Sequence, residues 1–180
     1  MFRSIVLSDI ENYADKKGIP IMEKEGILFL KEFIKLNNIK NILEIGSAIG
    51  YSAINMALVN SDINIVTIEK DNIRYLEALK NIKKMNLDKQ ISLVLSDALN
   101  FNTSDKYDLI FIDASKTKYI EFFNKFSKNL EPKGFIVTDN IKFHNLVHTD
   151  KSQMSKNVKG LVNGIERYIE FLKENKEFKT

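Results

Sequence analysis

The chain alternates short, unbroken apolar runs with segments long enough to be helices, and this pattern constrains its fold more than any other feature. The runs are Ile42-Leu43-Glu44-Ile45, Ile65–Ile68, Ile91–Leu95, Leu109–Ile112 and Phe135–Val137. Each is rich in β-branched or aromatic residues, and strands without polar alternation are covered on both faces. Ile73, Leu76, Leu79 and Ile82 recur at helical spacing between two of the runs, and Ile120, Phe123 and Phe126 between two others. A helix-length segment between successive strands predicts βαβ units. Pro132-Lys133-Gly134 supplies a turn ahead of the fifth strand. The expectation is an α/β, Rossmann-like, doubly wound and mostly parallel sheet with helices on both faces. Strand one should lie between strands two and four, with strand five beside four.

Ahead of the first strand, Ser8 and Glu11 have capping-box spacing, and Gly18-Ile19-Pro20 ends whatever helix they belong to. From about Met22 to Leu36, Ile27, Leu28, Leu30, Phe33 and Ile34 suit one helical face. With 180 residues the chain fits one domain, 1–180, with a substantial core.

Cysteine is absent, which excludes disulfides, thiolate nucleophiles and zinc–thiolate sites, and the two histidines, His144 and His148, make a His-rich metal site a poor expectation. No apolar run is long enough to span a bilayer and the N-terminus does not read as a signal peptide, so a cytoplasmic protein without a membrane partner is expected. The net charge of +3 is a mild tilt toward anionic partners. Nearly all of it is lysine, with Arg3, Arg74 and Arg167 the exceptions, in a chain rich in Lys, Asn and Ile throughout; the tilt identifies no partner.

In open α/β sheets ligands bind beyond the carboxyl ends of the strands. An acid stands at each of those ends: Glu44 before Gly46, then Glu69, Asp97, Asp113 and Asp139-Asn140. In Glu44-Ile45-Gly46-Ser47-Ala48-Ile49-Gly50-Tyr51-Ser52, two glycines let the backbone turn tightly and approach a ligand before a helix begins. Ala48 stands where a dinucleotide fingerprint needs its middle glycine, and a P-loop Lys-Ser/Thr is missing, which favours a ligand without phosphates. Glu44 would attract a positive group such as the methionine end of S-adenosylmethionine, or orient the loop. Glu69 suits an acid on two ribose hydroxyls, or a helix N-terminal acid. Asp97-Ala98 would edge an adenine, or Asp97 caps a turn. Ser52 is a ligand contact or a helix start.

Asp113, Asp139 and Asn140 come from strands expected to be neighbours. Three hard oxygen donors suit Mg²⁺, Mn²⁺ or Ca²⁺ rather than zinc; without a metal they are an acidic loop pair with Asn140 in a turn. Lys116, three residues past Asp113, would face the same pocket as a general base, or stand as a solvated surface lysine.

Together these residues resemble the cation-dependent O-methyltransferases, the family of the catechol and caffeoyl-CoA enzymes. ILEIGSAIGYSA, VTIEKD, SDAL, DLIFIDASK and GFIVTDN occur in order and at family spacing, and the similarity runs from about Ile19 to the end of the sequence. Ile19-Pro20-Ile21-Met22, Ile49-Gly50-Tyr51-Ser52 and Asp139–Phe143 leading to Leu146-Val147 look most like the bacterial subset acting on 5-hydroxyuridine in tRNA. The resemblance implies helices in 1–36 covering part of an active site on a Rossmann-like core, 37–180. It implies cofactor contacts at Met22, Glu44, Gly46, Ser47, Ser52, Glu69, Asp97, Ala98 and Asp113. It also implies metal ligands at Asp113, Asp139 and Asn140, with Lys116 and Asp113 catalytic. The implied reaction moves the S-adenosylmethionine methyl to an acceptor oxygen, on tRNA at the wobble uridine or on a catechol-like or acyl-CoA substrate. From other classes, an NAD-dependent oxidoreductase shares the sheet and the ribose acid but fits the glycines poorly, and a non-catalytic RNA-binding module would bind tRNA without turnover.

Two departures stand out. His144-Asn145 replaces the subset's usual Arg-Gly pair, and the sequence ends at Phe178-Lys179-Thr180 where the family continues into a final strand pair. Without that pair the fifth strand is an apolar edge. The expectation is a homodimer, or cover from the Val158–Lys176 helix.

Overall fold

The computed structural model describes residues 2–180. In chain order its elements are α1 (Phe2–Lys17), α2 (Lys24–Leu36), β1 (Asn41–Ile45), α3 (Tyr51–Ala57), β2 (Asn64–Glu69), α4 (Asn72–Lys84), β3 (Ile91–Leu95), β4 (Tyr107–Ile112), α5 (Tyr119–Phe126), β5 (Leu130–Thr138) and α6 (Lys156–Glu174). The five strands form one sheet in the order β3-β2-β1-β4-β5, parallel at every pairing. This is the Rossmann-like arrangement the apolar runs predict.

The period of two along each strand divides the interior into two cores. Ile42 of β1, Ile65 of β2, Leu109 and Phe111 of β4 face a core shared with Val6, Ile10 and Ala14 of α1 and Ile27, Leu30 and Ile34 of α2. Leu43 and Ile45, Ile68, Ile110 and Ile112 face the other side, against Tyr119, Phe122, Phe123 and Phe126 of α5 and Ile165 and Tyr168 of α6. Both faces of the central strands are therefore dry, as their unbroken apolar character requires.

Four local expectations are corrected. Ser8 lies inside α1 and caps nothing, because the Val6-Ile10-Ala14 stripe carries the helix from Phe2 to Lys17, where Gly18 at φ +60° ends it. No helix joins β3 to β4. The connection is rich in Asp, Asn, Ser and Thr, and its backbone is held instead by side chains: Asn129 Nδ2 donates to the Thr103 and Asp105 carbonyls, and Lys125 Nζ to that of Leu99. Pro132-Lys133-Gly134 lies within β5 rather than before it. Tyr107 pairs with Leu130 and Leu109 with Phe135, so the extra residues bulge out of an edge strand, where proline costs no ladder bond. The last helix runs from Lys156 to Glu174, with the Ser155 hydroxyl accepting from Val158 N at its start.

α6 lies on the α5 face and reaches β5 through Tyr168 Oη, 2.9 Å from Thr138 Oγ1. On the opposite face, Phe33 of α2 meets Phe135 of β5 edge to face at 5.0 Å, with Phe29 beside it. Phe29 and Phe135 remain 59% and 36% exposed, so this corner is apolar and open in the single chain. No helix among the described residues is long and apolar enough to cross a membrane.

Candidate active site

A cavity of about 1010 Å³ opens at the carboxyl ends of the strands, at the upper end of the roughly 300–1,000 Å³ typical of small-ligand sites. Its floor is Ile45, Gly46, Ile68 and the strand-end acids Glu69, Asp97, Asp113 and Asp139 with Asn140. The segment joining α1 to α2 forms another wall, with Pro20, Met22, Glu23 and Gly26. Of the residues implied as a site, Met22, Gly46, Glu69, Asp97, Ala98, Asp113, Lys116, Asp139 and Asn140 all line this one cavity.

Glu44, Ser47 and Ser52 do not line it. They are 0%, 2% and 6% exposed and lie behind the loop. Strand alternation explains this: Glu44 shares a face with Ile42, so it points into the layer of α1 to α4 and not out of the strand tip. Its Oε2 accepts from Thr67 Oγ1 on β2, while Oε1 has no hydrogen-bond partner, and neither has Ser47 Oγ. The Glu44 carboxylate is thus tied to β2 and buried beside the cavity without lining it.

Glu69 braces the same loop. Its Oε2 accepts from Ala48 N at 2.8 Å, and its Oε1 accepts from Lys70 N at 2.9 Å and Asp71 N at 2.8 Å. A carboxylate has about four acceptor positions, so capacity remains for ligand hydroxyls. The two readings of Glu69 are compatible in one side chain, while the cap of α4 itself is Asp71, accepting from Arg74 N. Asp97 Oδ1 accepts from Leu99 N at 2.9 Å, which fixes the turn and leaves Oδ2 to the cavity.

The metal-type donors all line the cavity. Asp113 N donates to the Ile45 carbonyl and Asp139 N to that of Ile112, each at 3.0 Å, so the ladder holds both residues one step beyond the sheet. Burial pushes the Asp113 carboxyl up to about 6, the Asp139 charge adds to the rise, and Lys116 opposes it. Asn140, at φ +60°, donates its amide nitrogen to Asp139 Oδ2 at 2.6 Å. Among the described residues no group of three or more His, Cys, Asp or Glu could hold a metal, so a cation here needs the Asn140 amide oxygen as its third protein donor. Two repelling carboxylates and an amide fit that role, and a half-turn of the Asn140 amide brings its oxygen round.

Lys116 sits on a 3₁₀ turn, with Nζ 5.4 Å from the centre of the Phe143 ring. Gly164 of α6 presses on this turn, since an added Cβ would lie 3.2 Å from the Lys116 carbonyl oxygen. Two wall residues, Arg74 and Lys118, carry no sequence signal, since their types and spacing are ordinary for exposed helix starts; Phe143 lies in the Asp139–Phe143 stretch, where the resemblance implies no role for it. Of the departing pair His144-Asn145, the His144 side chain lies outside the described residues, whereas Asn145 lines the cavity.

Burial also pushes the Glu44 carboxyl up to about 7 from its ordinary 4.5, with Asp113 and Glu69 adding and the Ser52 and Thr67 hydroxyls opposing. An acid raised in the folded state stabilises the fold below its unfolded value, and that contribution is lost as pH rises through the folded one. Stability should therefore fall between pH 4.5 and about 7, by on the order of 3 kcal/mol from this group. Glu44→Gln is expected to flatten that decline in urea titrations at pH 5 and pH 8. A variant with the wild-type pH slope would show that the burial of Glu44 is relieved in solution.

A family model described as O-methyltransferase matches residues 3–179. Tapetum-specific methyltransferase 1 of Arabidopsis thaliana is 34% identical over 140 residues, covering 73% of this chain, and the chain spans 59% of that relative's length. A catechol O-methyltransferase of Niastella koreensis is 33% identical over 120 residues, covering 63% of this chain and 54% of the relative. Among solved structures, a Staphylococcus aureus chain whose name assigns it provisionally to the caffeoyl-CoA O-methyltransferases superposes with a TM-score of 0.89 at 31% identity, covering 94% of this chain and 82% of its own. An O-methyltransferase from Bacillus cereus in complex with SAH (S-adenosylhomocysteine) gives 0.81 at 26%, covering 95% and 80%.

Proposed function

Because the chain belongs to the O-methyltransferase family, we propose that it transfers the methyl group of S-adenosylmethionine to an acceptor oxygen at the Asp113–Asp139–Asn140 corner of its cavity. The observation that carries this reading is the meeting, in one cavity, of a glycine loop, a ribose-type acid and paired carboxylates beside a lysine. The cavity floor is acidic, which suits a cationic donor, and the B. cereus relative carries the demethylated donor in its structure. Glu69 and Asp97 would hold the ribose and adenine, and Gly46 lets the donor approach the backbone. A divalent cation such as Mg²⁺ held by Asp113, Asp139 and Asn140 would supply Lewis-acid activation of two neighbouring acceptor oxygens. Lys116, on its braced turn at the cavity wall, would take the acceptor's proton.

The acceptor we favour is 5-hydroxyuridine at the tRNA wobble position, which offers a hydroxyl beside a carbonyl. Lys142 lines the cavity and Lys156 and Lys159 stand in the first turn of α6; as phosphate contacts they would support an RNA acceptor. Lys151, the remaining lysine of this stretch, is engaged instead by Glu166 and by Asn163 Oδ1. Catechol-like and acyl-CoA acceptors are the alternative, favoured by the names of the relatives. Incubation with methyl-labelled cofactor and either tRNA from cells lacking the modification or catechols separates them. Label on catechols alone would defeat the RNA acceptor, and thermal stabilisation by NAD but not by S-adenosylhomocysteine would defeat the methyl-transfer reading itself.

A homodimer is proposed on the open aromatic corner of Phe29, Phe33 and Phe135. Sedimentation should show a dimer that Phe29→Ser weakens; a wild-type monomer at tens of micromolar would count against it.

A further inference from the structure

The cavity wall formed by residues 20–26 belongs to no strand; apolar packing holds it to the first core, and a carboxylate of α1 bridges the start of α2 to the start of α3, directly after the glycine loop. Glu11, on α1, accepts from Tyr51 Oη at 2.7 Å through Oε1 and pairs with Lys24 Nζ at 3.0 Å through Oε2. Tyr51 is the first residue of α3, directly after Gly50 of the loop, and is 5% exposed. Lys24 is the first residue of α2, directly after the wall residues Met22 and Glu23. Glu11 therefore joins the helix starts that follow the wall residues Met22 and Glu23 and the glycine loop, two segments with no backbone ladder in common. α1 itself is fixed to the body by Val6, Ile10 and Ala14 in the first core and by the Asp9–Lys84 ion pair at 2.9 Å to the end of α4.

We propose that Glu11 is a positioning residue that holds the 20–26 wall over the donor end of the cavity by clasping Tyr51 and Lys24 together. This rests on the methyl-transfer reading for what occupies the cavity, and on the coordinates alone for the clasp. Glu11 does not line the cavity, so it acts only through the groups it holds. The chemistry suits a permanent tie. A nearly buried phenol needs an acceptor, and the Tyr51 hydroxyl keeps the Glu11 carboxyl below the ordinary range, so the acceptor stays ionised at neutral pH. Lys24 is largely solvated, so its arm steers and contributes less than the Tyr51 arm.

The test compares wild type, Tyr51→Phe, Glu11→Gln, Glu11→Ala and the Glu11→Ala/Tyr51→Phe pair. The readouts are calorimetric binding of S-adenosylhomocysteine, kcat and KM for S-adenosylmethionine, and amide hydrogen exchange. Tyr51→Phe keeps the ring and removes one hydrogen bond, so Kd and KM should rise roughly five- to tenfold with kcat within about twofold. Amides of residues 21–26 should exchange faster while those of β1 and β4 keep their protection. Glu11→Gln retains an acceptor for Tyr51 and should change binding by only about twofold. The double variant should be no worse than Glu11→Ala alone. Wild-type affinity and protection in Tyr51→Phe would overturn the proposal, as would exchange rising equally in β1 and β4, which is plain destabilisation. If the wild type binds no S-adenosylhomocysteine, the methyl-transfer reading fails, while the exchange contrast at residues 21–26 still tests the clasp.

Discussion

Asp139→Ala is expected to lower methyl transfer by at least roughly a thousandfold, about 4 kcal/mol of transition-state stabilisation, while S-adenosylhomocysteine binds within about threefold of wild type. The split follows from where Asp139 is held. Its N–H donates to the Ile112 carbonyl and its own carbonyl accepts from Tyr119 Oη, each at 3.0 Å, so the backbone keeps its place when the side chain is cut. What is lost is one of two carboxylates at the acceptor corner and the partner of the Asn140 amide. The donor end, built from Gly46, Glu69 and Asp97 on other strands, is untouched. Removing the Asp139 charge also relieves part of the pressure that raises the Asp113 carboxyl, so the variant should be no less stable than wild type above pH 6. Radiolabel transfer to the accepted substrate and calorimetry with S-adenosylhomocysteine measure the two halves separately. Undiminished turnover in chelator-treated buffer would remove the acceptor corner from the mechanism, and loss of cofactor binding would mean that Asp139 belongs to the donor site.

How much of this is legible in residues alone depends on the range over which each feature is specified. The sheet reads well because Ile42–Ile45, Ile65–Ile68 and Leu109–Ile112 must be apolar on both faces, and only a central parallel strand asks for that. The strand-end acids read well for the complementary reason: the first polar residue after such a run is where the chain leaves the dry layer. Which way a residue faces is a finer matter. Glu44 sits one step inside the strand, and counting by twos from Ile42 already directs it under α3 and away from the cavity. The helix expected after β3 fails because Asn100, Asn102 and Asp105 offer local hydrogen bonds that compete with a helix, and the acceptors they leave are satisfied by Asn129 and Lys125 from a distant helix end. The Glu11–Tyr51 bond joins residues 40 apart, and nothing in either neighbourhood marks it. Long-range polar pairs of this kind are specified by the packed helices that deliver them, so they appear only once the fold is known.

Gly46→Ala is expected to unfold the protein or cost it at least about 3 kcal/mol, and to abolish cofactor binding in whatever fraction folds. Gly46 has φ +100°, a backbone conformation closed to side-chain-bearing residues, so the substitution is strained before any neighbour is considered. The neighbour then makes it untenable. A Cβ at this position would lie 2.0 Å from the Asp113 carbonyl oxygen and 2.9 Å from the carbonyl carbon, both backbone atoms of the adjoining strand end. Neither can retreat as a flexible side chain would, because Gly46 N donates to the Ile68 carbonyl at 3.0 Å and Asp113 N to the Ile45 carbonyl at 3.0 Å, locking β1 to its neighbours on both sides. Relief requires the loop to lift away from β4, which breaks the Ala48 N–Glu69 bond and moves the cavity floor between the donor and acceptor ends. Gly50→Ala provides the control. It is also strained, at φ +82°, but its Cβ would stand 3.4 Å from the Ala78 side chain, so it should cost less, about 1–2 kcal/mol, and retain measurable binding. Urea denaturation of the pair, followed by S-adenosylhomocysteine titration, decides the matter: equal stability of the two variants would mean that the approach of β1 to β4 at Asp113 is not the constraint that builds this site.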